Sequence, residues 1–212
     1  MGSSIVKHLL NAGHEVTIYT RTKSKADALI SLGATWAETP AQASKDQHII
    51  FTMVGYPKDV EEVYCGSEGI FSSVQKGTIV VDMTTSEPTL AKKLYEQAKA
   101  INVHSLDAPV SGGDIGAQNG TLSLMVGGDK EVFEQMKSIF EVFGQNIVYQ
   151  GAAGSGQHTK MCNQIAIASG MIGVCESIAY GLQAGLNLED VLRSISAGAA
   201  GGRKGAPIRA IR

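Results

Sequence analysis

One lysine stands at the head of a long apolar stretch. In Gly151-Ala152-Ala153-Gly154-Ser155-Gly156-Gln157-His158-Thr159-Lys160-Met161-Cys162-Asn163-Gln164, glycines end one element and a helix begins. Asn163 and Gln164 follow Lys160 at helical spacing, so the three share a helix face. Burial of such a lysine lowers its pKa and turns it into a proton donor and acceptor usable near neutral pH. The bland alternative is a surface lysine whose stem snorkels along the helix start. A second segment, Asp107-Ala108-Pro109-Val110-Ser111-Gly112-Gly113, follows an apolar strand. Pro109 turns the chain out of the strand, and the two glycines after Ser111 expose backbone N–H groups with no side chain in the way. Such a turn can hold a small carboxylate, with the Ser111 hydroxyl as a further donor. The alternative is a plain glycine-rich loop.

Two weaker signals lie near the start. Met1-Gly2 reads as the tail of a G-x-G-x-x-G turn, with Gly2 as the third glycine, the one that lets a helix pack closely on a sheet. About 20 residues after such a turn, an acidic residue holds the ribose of NAD, whereas an arginine accommodates the 2′-phosphate of NADP. Here the stretch is Thr20-Arg21-Thr22-Lys23, with no acid. A guanidinium forks onto phosphate oxygens and neighbouring hydroxyls add to it. The expected cofactor is therefore NADP, with NAD as the alternative, and Arg21 and Thr22 are its candidate ligands. A solvated basic turn is the competing reading.

The elements that would position these groups alternate. The reading gives a helix over Ile5–Leu10 stopped at Gly13, strands at 15–20 and 34–36, a helix from Ser24 to Leu32 and a brief helix after Pro40. Buried-type strands follow at 48–53 and 78–83, with helices at 57–64 and 87–100. Further strands are expected at 103–107, 122–126 and 146–149, and a helix at 129–143 capped by Asp129. That rhythm predicts an α/β fold, a Rossmann-like doubly wound, mostly parallel sheet. From about residue 151 the rhythm stops and two helices follow, Lys160–Leu182 and Asn187–Ser196. The expected organisation is residues 1–150 as an NAD(P)-binding domain lacking its first strand, 151–200 as the start of an incomplete all-α domain, and 201–212 as a disordered tail.

Composition removes other classes. The chain has 212 residues, 43% of them apolar and 18% charged, with a net charge of −2. No basic stripe suggests nucleic-acid binding. No unbroken run of about 18 apolar residues suggests a membrane span, and no signal peptide is evident. Cys65, Cys162 and Cys175 lack metal-ligand or disulfide-framework spacing, so no metal is expected and a reducing, cytoplasmic setting is.

The two glycine-rich motifs occur together and in order. On D-A-P-V-S-G-G at 107–113 and G-x-x-G-x-G-x-x-x-K-x-x-N at 151–163, the chain closely resembles the β-hydroxyacid dehydrogenase family, whose best-known member is 3-hydroxyisobutyrate dehydrogenase. Asp82-Met83-Thr84-Thr85 and Asn119–Gly128 also resemble it, and the likeness runs from Met1 to about Ala200. The resemblance implies a hydride transfer between NAD(P) and a small β-hydroxy acid or its semialdehyde, with Lys160 as general acid/base. It implies that Ser111, Gly112 and Gly113 hold the substrate carboxylate and that Asn163, or Gln164 on the same face, orients the substrate. Val54, Gly55 and Thr85 would line the cofactor crevice at strand ends; the family offers Pro where this chain has Gly55. It further implies a homo-oligomer in the intact form and an opening strand, two cofactor glycines and later helices that this chain lacks. Two alternatives stand beside it: a catalytically weak paralogue that only binds a nucleotide or a partner subunit, and a relative of 6-phosphogluconate dehydrogenase. Cys162-Asn163, where that enzyme has His-Asn, counts against the second, and Lys160 counts against the imine reductases that share the scaffold.

Overall fold

A computed structural model describes residues 1–198 and residue 200. The expected tail at 201–212 lies outside the described residues. The chain forms two compact units, Met1–Lys160 and a second from Met161 onward.

In the first unit a helix, α1 (Gly2–Asn11), leads through the left-handed Gly13 to β1 (Thr17–Ile18). The expected helix at 24–32 is shorter, a 3-10 turn followed by α2 (Asp27–Ile30). Next come β2 (Thr35–Trp36), α3 (Pro40–Ser44), β3 (Ile49–Thr52), α4 (Pro57–Cys65), β4 (Ile79–Asp82), α5 (Pro88–Ala100) and β5 (His104–Asp107). Then β6 (Val110–Ser111), α6 (Gly113–Gln118), β7 (Leu122–Gly127), α7 (Lys130–Phe140) and β8 (Gly144–Gly151) complete the unit.

Strands β3, β4 and β5 are parallel neighbours in a six-stranded sheet, extended by β7, which runs antiparallel to β5 and β6 and parallel to β8. Alternation along β4 shows how the sheet is doubly wound. Ile79 and Val81 face a core built with Ile5 and Leu9 of α1 and Phe133, Met136 and Phe140 of α7. Val80 faces the opposite core, with Val60 and Tyr64 of α4 and Leu90, Leu94 and Ala98 of α5. Two-sided burial is why these strands read as continuous apolar runs.

Three expectations are corrected. Among the described residues the single sheet is two: β1 pairs with β2 in a separate parallel pair over its own small core of Ile18, Ala26, Leu29 and Ala34. Asp129 is the N-cap residue of α7, as expected, but its side chain bonds no helix amide; its carboxylate accepts from the Tyr95 hydroxyl at 2.7 Å instead. And β6 and α6, unforeseen, flank the Ser111–Gly113 turn.

The helix α8 (Ser155–Gln183) starts in the first unit and continues into the second, where α9 (Leu188–Ala197) is capped by Asn187 accepting from the amides of Glu189 and Asp190. By length and composition alone α8 would suffice to cross a membrane. The sequence reading passed over it because Glu176 and small polar residues interrupt the apolar run.

Candidate active site

Lys160 is positioned by the start of α8, and that start is held by a buried carboxylate. Asp107, the last residue of β5, accepts from the backbone N–H of Gly154 at 2.7 Å and of Gln157 at 2.8 Å. A carboxylate among the unpaired amides of a helix N-terminus is favoured by both hydrogen bonding and the helix dipole. Burial pushes the Asp107 carboxyl up, and the amides pull it partly back. Close approach is required here. A Cβ at Gly156 would collide with the Met125 carbonyl oxygen and stand 2.6 Å from that of Asp107.

One turn further on, Lys160 is 7% exposed, and its Nζ donates to the Val110 carbonyl at 2.8 Å. Burial lowers its pKa. Val110 immediately precedes Ser111, so the amine stands beside the first residue of the glycine-rich turn. Gly112 and Gly113 have φ of +133° and +62°, in the left-handed region that side chains disfavour. Both are exposed, as the expected carboxylate turn needs.

A second cluster of candidate residues lies at other strand ends of the first unit. At the carboxyl ends of β3 and β4, Asp82 Oδ1 accepts from the Thr52 hydroxyl and the Thr84 amide, both at 3.0 Å. The Val54 amide donates to Thr84 Oγ1 at 3.0 Å, which ties Val54 to the turn carrying the exposed Thr85. Burial, aided by repulsion from Asp107 and opposed by these hydrogen bonds, pushes Asp82 up to about 6. Arg21 reaches the same edge. Its guanidinium donates to Asp59 Oδ1 at 3.2 Å, while Asp59 Oδ2 accepts from the Tyr56 amide at 3.1 Å. Gly55 packs against that carboxylate; a Cβ would lie 3.2 Å from Asp59 Oδ2.

Three local groups result: Arg21 on Asp59 beside Gly55, Val54 tied to the turn that carries Thr85, and Lys160 on Val110 beside Ser111–Gly113. Next to Gly2, the Met1 amine contacts Asp114 Oδ1 at 3.2 Å. The close packing expected of Gly2 is absent, however: a Cβ there would meet nothing within 4 Å, because none of the described strands packs against it. Thr22 is exposed and its carbonyl accepts from the Thr20 hydroxyl at 2.7 Å. Asn163 and Gln164 belong to the second unit, where the Asn163 amide donates to Gln164 Oε1 at 3.0 Å.

The comparisons with known proteins identify the family. Residues 1–151 match the family described as the NAD binding domain of 6-phosphogluconate dehydrogenase. Residues 154–205 match the one described as NAD-binding of NADP-dependent 3-hydroxyisobutyrate dehydrogenase. The chain belongs to the 3-hydroxyisobutyrate dehydrogenase-like family. An uncharacterized oxidoreductase of Bacillus subtilis, YkwC, is 60% identical over 201 residues, 95% of this chain and 70% of that protein. The probable 3-hydroxyisobutyrate dehydrogenase-like 1 of Arabidopsis thaliana is 44% identical over 96% of this chain and 61% of its own length. The Mycobacterium tuberculosis 3-hydroxyisobutyrate dehydrogenase, solved with L-serine, superposes with a TM-score of 0.84 at 27% identity, covering 94% of this chain and 67% of that one. The family's α/β domain and following helical segment are both present, and its cofactor class is NAD(P). This chain spans 61% to 70% of the two curated relatives' lengths.

Sequence reasoning quoted Asp107 and Gln157 inside the motifs without giving them work, and missed Asp59 and Thr52. A signal existed for Asp107: a charged residue closing an apolar strand.

Proposed function

We propose that this chain carries the acid/base and cofactor-lining half of an NADP-preferring β-hydroxyacid dehydrogenase or semialdehyde reductase, with Lys160 moving the proton. The observation that carries the reading is the buried Lys160 amine held on the Val110 carbonyl, one residue from Ser111. Burial shifts the balance of a lysine in that setting toward its neutral form, relative to a free one.

The residues present suit the cofactor. Arg21, 73% exposed at its side chain, offers a forked cation for a 2′-phosphate, and Thr22 adds a hydroxyl. Val54, Gly55 and Thr85 stand beyond strand carboxyl ends, where nucleotides bind in open α/β sheets. When bound, NADP⁺ accepts a hydride and NADPH returns one. In the oxidation direction the neutral Lys160 amine takes the substrate hydroxyl proton; in reduction the ammonium gives it back to the oxygen formed. One Lys160 N–H stays on Val110, which holds the amine in place while its lone pair or another N–H serves the substrate. The amides of Gly112 and Gly113 and the Ser111 hydroxyl take the substrate carboxylate, so the acid end lies next to the amine. Asn163, or Gln164, orients the substrate. Small β-hydroxy acids are the substrate class, since two backbone amides and one hydroxyl suit a single carboxylate.

The test is Lys160→Met in this chain, with NADPH binding and turnover of 3-hydroxyisobutyrate and of succinic semialdehyde measured together. Turnover falls at least about 100-fold, the scale of a lost general acid/base, with cofactor binding retained. Undiminished turnover would refute the assignment. Cofactor binding without turnover in the unaltered chain would favour the binding-only paralogue.

A further inference from the structure

The side chain of Gln157 is 0% exposed, and both ends of its amide are used. Its Oε1 accepts from the Ser86 amide at 2.9 Å, and its Nε2 donates to the Thr84 carbonyl at 2.7 Å. Its own backbone N–H donates to Asp107 Oδ2. Thr84 in turn is fixed through its amide to Asp82. The result is a buried ring running from the end of β4, through the 84–86 turn, across Gln157 to the end of β5. The amides and carbonyl in this ring are paired, although the buried Ser86 hydroxyl beside them has no partner among the described residues; paired groups of this kind hold one geometry, because a slide would leave them unpaired at low dielectric.

What the ring holds is informative. Thr85 is the exposed residue of the turn, gripped on both sides by the same amide. Lys160 lies three residues after Gln157, on the same face of α8 one turn on. A rotation or slip of the α8 start would therefore move Thr85 and Lys160 together. We propose that Gln157 is a positioning residue, which sets where the Lys160 amine stands relative to Thr85 by keeping the 84–86 turn and the first turn of α8 in one register. This rests on the reading of Lys160 as the acid/base. Gln157 itself touches neither the Lys160 amine nor the Ser111–Gly113 turn in any of its hydrogen bonds.

The test uses the full chain and does not need turnover. The pH midpoint of Lys160 labelling by an amine-reactive reagent is read by peptide mass spectrometry, alongside hydrogen exchange at the Ser86 amide. Gln157→Met keeps the volume and removes both side-chain bonds. Gln157→Glu keeps an acceptor for Ser86 and, when ionised, loses the donor to Thr84. In the Met variant Ser86 exchange rises about tenfold or more, the loss of one buried hydrogen bond, and the Lys160 midpoint moves up toward that of an exposed lysine as the amine leaves its buried seat. The Glu variant falls between the two, and it carries the test if the Met variant does not fold. A folded variant with reduced stability but an unchanged Lys160 midpoint would overturn the proposal and leave Gln157 a packing residue. Failure of the acid/base reading shows up separately, as turnover that survives Lys160→Met.

Discussion

At Arg21 the guanidinium already has a carboxylate to hold, Asp59, and what that contact does is aim the side chain rather than strengthen the fold. An ion pair with one partner this exposed contributes little to stability. Arg21→Ser should therefore leave the melting temperature nearly unchanged. It should weaken NADPH binding roughly 10- to 100-fold, the worth of a charged hydrogen bond, and spare NADH. Energy transfer from Trp36, the chain's one tryptophan, reads both cofactors. Equal losses for both would show that Arg21 does not meet a 2′-phosphate. Asp82 makes a different residue-scale prediction. Its carboxyl is raised to about 6 by burial, so the folded state holds the proton more tightly than the unfolded one. Stability present below about pH 4 is then lost as pH rises through 6, by roughly 3 kcal/mol for a shift of this size. Asn at this position keeps an acceptor for Thr52 and Thr84 and has no charge to desolvate. Asp82→Asn should gain on the unaltered chain by up to that amount between pH 4 and 7 in urea unfolding; a pH-independent difference would contradict the assignment. Lys160 and Ser111–Gly113 stood out as candidates because each sits in an ordered motif of unusual types. The work of Asp82, Thr84 and Gln157 gave no such notice: the bonds from Thr52 to Asp82 and from Gln157 to Thr84 join residues 30 and 73 positions apart, and local spacing carries no trace of that.

Among the elements, the long apolar strands and helices matched the sequence reading to within a few residues, since burial on both faces writes itself into uninterrupted apolar runs. The misses have a common cause. The short β6 exists because Val110 and Ser111 pair with Leu124 and Ser123 of β7, and α6 begins because Gly112 and Gly113 take left-handed backbone angles. Neither partner nor backbone angle is visible as periodicity. The junction of β5, β7 and α8 is the tightest of these features. Gly156 sits against the Met125 and Asp107 carbonyls, and Gly127 against the Asp107 carboxylate and the Gly156 amide. Gly156→Ala should cost about 3 kcal/mol, toward the upper end of overpacking effects, because the atoms it meets are backbone and cannot turn aside. The same change at Gly2, which opens on empty space, should cost less than about 0.5 kcal/mol. Urea unfolding of both variants decides it; equal losses would mean the α8 junction is looser than its contacts imply.

On the scale of the whole molecule, the second unit sets the behaviour in solution. Along α8, Ile165, Ile172, Tyr180 and Leu182 are each more than half exposed, and Ile167 and Met171 are partly so. Apolar surface of that extent on one helix marks an interaction face rather than a solvated one. The same helix is long and apolar enough to enter a bilayer, so two outcomes compete. Glu176 and the alternation of Ser, Gly, Asn and Gln with the aliphatic residues weigh against lipid, where a carboxylate in mid-span is costly. Small residues between large apolar ones suit close helix-to-helix packing instead. The chain should therefore self-associate in a concentration-dependent way in sedimentation velocity, and should not float with neutral phosphatidylcholine vesicles. Ile165→Glu combined with Ile172→Glu places two charges on that face. The double variant should shift the population toward monomer while leaving the first unit, and with it Lys160 labelling, unchanged. A monomer at all concentrations in the unaltered chain would contradict the argument, and vesicle flotation would reverse the choice between the two readings of α8.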